Sequence, residues 1–181
     1  MTTKKTTPSW SDVKTKLSDF DRAGLLLLLQ DLYTTNKGNQ NFLHARFNLG
    51  DDVLKPYKTT ISRWLWPELF KNQDTSVAKA KKAIADYKKA IGQPAGLAEL
   101  MVYYCEQASG FSDEVGLDDG GYFDALILMF EQALKMVISL PGAQCDVMWD
   151  RLDEVRNISH NFGYGVGDDM DHLLIEYAAD D

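Results

Sequence analysis

Two histidines and three aspartates near the end of the chain are the residues best suited to bind a metal ion: His160, Asp168, Asp169, Asp171 and His172. Imidazole nitrogens and carboxylate oxygens both bind divalent metals, so folding could gather these side chains into one mixed site. No H-E-x-x-H motif and no His/Cys pair with zinc-ligand spacing accompanies them. The sequence therefore favours a different role, in which the aspartates stabilise the positive N-terminus of the last helix.

Local signatures of enzyme active sites are missing from the sequence. Gly163, Gly165 and Gly167 resemble a phosphate loop, but the dinucleotide fingerprint requires a glycine where Asp168 stands, and a P-loop requires Gly-Lys-Ser/Thr. There is no Gly-x-Ser-x-Gly elbow, and neither cysteine has a catalytic signature around it. The sequence thus favours a non-enzymatic protein without a cofactor, although acid and base residues that are distant in sequence leave an enzyme open.

Four aromatic residues suggest a surface for a protein partner: Tyr57, Trp64, Trp66 and Phe70. Trp and Tyr dominate the binding energy of protein interfaces when they are exposed. The leading hypothesis is a non-enzymatic intracellular interaction module that docks on a macromolecular partner through its helix faces. Burial of these rings would remove this docking surface.

The lysines of a predicted helix over residues 75–91 support an alternative, nucleic-acid binding. They are Lys79, Lys81, Lys82, Lys88 and Lys89. A basic helix face attracts phosphates, although most such faces are only solvated surface. Apolar residues at helical spacing cover the opposite face, which makes this the clearest amphipathic helix of the chain.

Charge is distributed unevenly along the 181 residues, whose net charge is −8. Residues 1–94 hold 16 Lys and Arg against 9 Asp and Glu, whereas residues 95–181 hold 3 against 18. The two parts could attract each other within one fold or between copies. The acidic part also suggests a further alternative, a decoy surface that occupies a basic partner.

The pattern of apolar residues and helix-breaking residues predicts an all-α protein, a bundle or short array of helical hairpins with about seven to nine helices. A flexible lead-in over residues 1–10 precedes a single domain over 11–181, with a candidate sub-boundary near 71–75. A capping box is predicted at Ser18–Asp21. The acidic, glycine-rich stretch from Gly110 to Gly121 predicts a loop.

The cellular location follows from the cysteines and the hydropathy. Two cysteines and a polar, Thr- and Lys-rich start predict a reduced, cytoplasmic protein. The longest run of leucines, Leu25 to Leu29, is far below the ~20 residues that a membrane helix needs. We therefore expect no membrane association, and the sequence leaves the oligomeric state open.

Several segments resemble an uncharacterised bacterial family of all-helical domains with no assigned activity. The resemblance rests on Lys79–Lys89, Leu100–Gln107, Gly121–Phe123, Met129–Lys135 and Gly163–Gly165. It spans roughly residues 50–181, and Leu25 to Tyr33 could extend it. It implies a helical architecture and a bacterial or phage-related setting, and it implies no active site.

Overall fold

The helical content matches the prediction. A computed structural model describes residues 7–178, apart from the side chain of Leu69. Within these residues the chain forms nine α-helices and no strand, which confirms an all-α protein with seven to nine helices. The helices are α1 (Trp10–Leu17), α2 (Arg22–Thr35), α3 (Lys37–Arg46), α4 (Lys55–Leu65), α5 (Val77–Ala90), α6 (Pro94–Val115), α7 (Gly120–Val137), α8 (Gly142–Ser159) and α9 (Val166–Ala178). None of these helices is long and apolar enough to cross a membrane.

The chain divides within α3 into two compact units, residues 1–43 and 44–181. Most of the predicted flexible lead-in, residues 1–6, lies outside the described residues, and so do residues 179–181 at the end of the predicted domain. Between α4 and α5, a single 3₁₀ turn spans Leu69–Lys71.

In the first unit, the capping box lies earlier than predicted. Ser9 caps α1 and exchanges hydrogen bonds with Asp12. Ser18 instead ends α1 with helical backbone angles, which an N-cap residue does not adopt. Asp21 caps α2 by accepting the Gly24 amide at 2.7 Å. Leu28 of α2 is half-buried, whereas the other five leucines of this helix are exposed: Leu25, Leu26, Leu27, Leu29 and Leu32.

In the second unit, α6 is the central helix and packs against α4, α5, α7 and α8. Helix α9 completes the unit by packing on α7 and α8. The largest side chains of the core include Tyr87, Tyr104, Phe123, Phe130, Leu152 and Met170. The basic helices α4 and α5 and the acidic helices that follow them therefore contribute to one core.

Helix α6 is longer than the sequence indicates, and the loop predicted from Gly110 to Gly121 is wrong over its first half. The helix continues to Val115 and ends at Gly116, whose φ of 62° is left-handed. Phe111 is buried, and the Ser112 hydroxyl donates to the Ala108 carbonyl at 2.8 Å. Packing of these residues therefore overrides the low helix propensity of glycine and serine at 109–112.

Helices α4 and α5 flank the predicted sub-boundary near residues 71–75, and they pack directly against each other. The Ser76 amide donates to the Trp64 carbonyl at 2.9 Å. The Ser76 side chain in turn accepts the Lys79 amide and caps α5. The connection between the two helices is thus tied to α4 at the point where α5 begins.

Candidate functional site

A cleft of about 400 Å³ opens between the end of α7, the first half of α8 and the end of α9. This volume lies within the range of known ligand pockets. Its lining residues are Ile138, Cys145, Asp146, Trp149, Asp150, Tyr177 and Ala178. The cleft thus combines two aromatic rings with two carboxylates.

Helical spacing on α8 explains four of these positions. Cys145 and Trp149 are one turn apart, and so are Asp146 and Asp150, so both pairs project from neighbouring rows of the same helix. Cys145 and Trp149 pack against the core, whereas the two aspartates are exposed. The helix therefore holds the indole at the base of the cleft and the carboxylates at its rim.

Helix α7 fixes the aromatic ring on the opposite side. The Tyr177 hydroxyl donates to Glu131 Oε1 at 3.2 Å. Glu131 also forms an ion pair with Lys135, whose ammonium lies 5.7 Å from the centre of the Tyr177 ring. The hydrogen bond and charge of Lys135, and to a smaller extent the hydrogen bond from Tyr177, lower the pKa of Glu131. Tyr177 is thus held in a position where a cation already lies close to its ring.

The orientation of α8 depends on Arg151, which lies between two glutamates of α6. Its guanidinium donates to both carboxylate oxygens of Glu106, at 2.7 and 2.8 Å, and to Glu99 at 2.6 Å. Lys58 of α4 approaches Glu99 from the other side at 2.7 Å. Burial opposes ionisation of Glu99, but the hydrogen bonds from Arg151 and Lys58 outweigh it and lower its pKa. The network joins α4, α6 and α8.

A neutral hydrogen-bond chain also joins α4 to α6. Ser62 Oγ lies 2.6 Å from Tyr103 Oη and donates to Gln107 Oε1 at 2.8 Å. The positive charges of Lys58 and Arg151 balance the negative charges of the two glutamates. We therefore assign the network a structural role, in which it fixes α8 and the side chains that α8 presents to the cleft.

The four aromatic residues singled out in the sequence have different environments. Tyr57 is only 5% exposed and packs edge-on against Tyr87 in the core, so it is not available to a partner. Trp64 is half-buried, with the cations of Arg63 and Lys79 at 4.4 and 3.7 Å from its ring. Of the other two, Trp66 packs on α6 at Gly110 yet stays exposed, as does Phe70. A docking surface at these last two residues stays a prediction.

Two of the predicted nucleic-acid-binding lysines have local partners on or beside α5. Lys82 pairs with Asp86 at 2.5 Å, and Lys79 lies over the Trp64 ring. Lys81 is half-buried, while Lys88 and Lys89 are exposed on the last turn. The basic face is therefore narrower than the count of five lysines indicates.

Of the five predicted metal ligands, the structure brings three together. His160, Asp168 and Asp171 each offer an atom within 4.8 Å of the others. Asp169 and His172 lie on the same helix outside this group, and both are exposed. Asp168 and Asp169 also occupy the first turn of α9, as the sequence-based interpretation of a charge-stabilised N-terminus requires.

The cleft was not apparent from the sequence. Its lining residues come from positions 138–150 and 177–178, and only folding brings these two segments together. The only local signal in the sequence is the one-turn spacing of Cys145 with Trp149 and of Asp146 with Asp150. No protein-family model, no curated protein and no solved structure matches this chain.

Proposed function

We propose that the protein is a non-enzymatic interaction module that docks a basic partner protein at the cleft between α7, α8 and α9. The observation that carries this proposal is the placement of Asp146 and Asp150 beside the rings of Trp149 and Tyr177. Aromatic faces attract cations, most strongly where water is excluded. Carboxylates at the rim add direct charge pairing. The combination fits the end of an arginine or lysine side chain.

The size of the cleft and its charge favour one inserted side chain over a large flat interface. A volume of about 400 Å³ accommodates one long side chain with neighbouring backbone. The surrounding acidic part of the chain would bring a basic segment towards the cleft by long-range attraction. The proposed function combines two hypotheses from the sequence, an interaction module and an acidic surface that occupies a basic partner.

A fluorescent peptide with alternating Arg and Gly residues provides the direct test, measured by polarisation with the full chain. The same peptide with citrulline in place of arginine keeps the shape and removes the charge. We expect the arginine peptide to bind and the citrulline peptide to bind at least about tenfold more weakly, the loss of one charged contact.

Matched variants distinguish the cleft from general acidity. Asp150→Asn and Glu154→Gln each remove one negative charge from α8, but only Asp150 lines the cleft. We expect Asp150→Asn to weaken binding several-fold and Glu154→Gln to change it less than twofold. Equal losses in both variants, or no binding of the arginine peptide, would contradict the proposal.

A third variant is expected to bind more tightly. Lys135 places a competing ammonium near the Tyr177 ring and neutralises Glu131. Lys135→Met removes this competition while it keeps most of the apolar stem. We therefore expect the arginine peptide to bind more tightly to Lys135→Met than to the wild-type protein, whereas damage to the fold would weaken binding.

Nucleic-acid binding by α5 has less support, because the exposed lysines that remain are concentrated at Lys88 and Lys89. A labelled DNA duplex in the same assay tests it at low salt. Retention of the duplex that is lost in the Lys88→Gln/Lys89→Gln variant would favour α5 over the cleft.

A further inference from the structure

The turn between α8 and α9 brings one histidine and two aspartates together. His160 follows the last residue of α8, and the chain reverses so that Asp168 and Asp171 lie on the first turns of α9. Phe162 stacks on Phe123 of α7 with ring centres 5.3 Å apart, which anchors the turn to the core. The cluster therefore rests on a packed support.

The separation of His160 and Asp171 matches that between two ligands of one metal ion. His160 Nε2 lies 3.2 Å from Asp171 Oδ2. Two ligands bound to Zn²⁺ at about 2.0–2.1 Å with tetrahedral geometry lie about 3.4 Å apart. Asp168 offers its carboxylate within 4.8 Å of both, so a rotation of this exposed side chain can bring it to the same ion.

Gly167 allows the histidine to lie close to α9. A Cβ at this position would be 2.5 Å from His160 Nδ1 and 2.9 Å from the His160 Cα. Only a residue without a side chain fits such a close approach. The packing leaves the Nε2 side of the ring facing Asp171.

Arg156 forms an ion pair with the same aspartate. Its Nε lies 3.4 Å from Asp171 Oδ1, and its Nη2 donates to Asp153 at 2.5 Å. Such outer contacts commonly orient carboxylate ligands of metal ions. The guanidinium balances one negative charge, and the carboxylates of Asp153, Asp168 and Asp171 together carry three. A divalent cation is therefore compatible with the local charge.

We infer that His160, Asp168 and Asp171 bind one divalent transition-metal ion, and that Zn²⁺ suits these donors best. One imidazole nitrogen selects Zn²⁺ and its neighbours over Mg²⁺ and Ca²⁺, which prefer oxygen ligands alone. The ion takes the place of the direct contact between His160 and Asp171. It links the end of α8 to the start of α9, and solvent completes its coordination.

Calorimetric titration of the EDTA-treated full chain with ZnCl₂ tests this inference. We expect one Zn²⁺ per chain, a higher Tm in its presence, and a much smaller response to Mg²⁺. His160→Gln and Asp168→Asn are expected to weaken Zn²⁺ binding at least about tenfold. Because Asp168 is exposed, its variant tests the site even if His160→Gln folds poorly.

The matched controls are Asp169→Asn and His172→Gln, which change the same residue types on α9 outside the cluster. They are expected to bind Zn²⁺ as the wild-type protein does. Cys145→Ser controls for binding by the half-buried thiol. Absence of Zn²⁺ binding, equal affinity in the wild-type protein and Asp168→Asn, or loss of binding in Cys145→Ser alone would overturn the inference.

Discussion

Replacing Arg151 with methionine tests whether its ion network fixes α8. The substitution keeps an unbranched apolar stem and removes the guanidinium that bridges Glu99 and Glu106. Lys58 remains to neutralise Glu99, whereas Glu106 loses its hydrogen bonds from Arg151. The main cost of the substitution is therefore one poorly solvated carboxylate on α6.

The magnitude follows from how deeply these groups are buried. Removing one partner of a fully buried ion pair costs about 3–5 kcal/mol. The side chains of Arg151, Glu99 and Glu106 are 27%, 18% and 31% exposed, so water partly screens the change. Discounting for this screening, we expect Arg151→Met to lower the free energy of unfolding by about 2–3 kcal/mol. For a chain of this size that lowers Tm by about 4–12 °C.

Urea unfolding followed by circular dichroism measures this loss, and Lys82→Met is the matched control. Lys82 also pairs with an acid, but its side chain is 70% exposed. Pairs of this kind on a helix surface contribute only about 0.3–0.5 kcal/mol. A loss for Arg151→Met as small as the loss for Lys82→Met would refute an anchoring role of the network.

The pH dependence separates charge from packing. The folded protein lowers the pKa of Glu99 below its ordinary value of 4.5. A carboxyl group with a lowered folded pKa stabilises the protein above its unfolded pKa, and this stabilisation is lost as pH falls through the folded pKa. The difference between wild type and Arg151→Met should therefore shrink below about pH 4.5. A difference that does not shrink as pH falls would show that the ionised carboxylate of Glu99 is not the source of the loss.

Two further predictions concern a glycine and the cysteines. Gly96→Ala should lower the free energy of unfolding, measured in urea, by about 1–3 kcal/mol, because the new Cβ would lie 2.0 Å from the hydroxyl of buried Tyr87. Gly142→Ala is the control, since its Cβ would meet no atom within 4 Å and should change the free energy of unfolding by less than about 0.5 kcal/mol. A thiol-reactive maleimide, followed by mass spectrometry, should label half-buried Cys145 before Cys105, because Cys105 is fully buried and burial raises its thiol pKa. Labelling of Cys105 first in the folded protein would contradict the second prediction.

Sequence patterns succeeded where the signals are local. The predicted helix over residues 75–91 is α5, Val77–Ala90, since Ser76 caps its start and Gly92 follows its end with a left-handed φ of 66°. The leucines of α2 show a limit of such patterns, because helical periodicity shows which residues share a face and says nothing of what covers that face.

The end of α6 and the candidate sites depend on contacts that no local pattern encodes. Gly110 stays helical while the Trp66 ring, 44 positions earlier, packs against it. Asp168 and Asp169 are adjacent and chemically identical, yet only Asp168 lies in the cluster with His160, because a step of one residue turns the side chain by about 100° around the helix. The three-dimensional path of the turn decides which of the two contributes.

The same reasoning explains why the net charge of the acidic part is an unreliable guide to its binding surface. Glu99 and Glu106 contribute to the negative sum, but Arg151 and Lys58 neutralise them inside the fold. Asp150 immediately precedes Arg151, yet its carboxylate is exposed at the rim of the cleft. These two adjacent residues of α8 therefore have different roles: Arg151 anchors the helix, and Asp150 is available to a cation. Loss of Arg151 should then weaken binding at the cleft without changing any residue that lines it, because the orientation of α8 sets the distance between Trp149 and Tyr177.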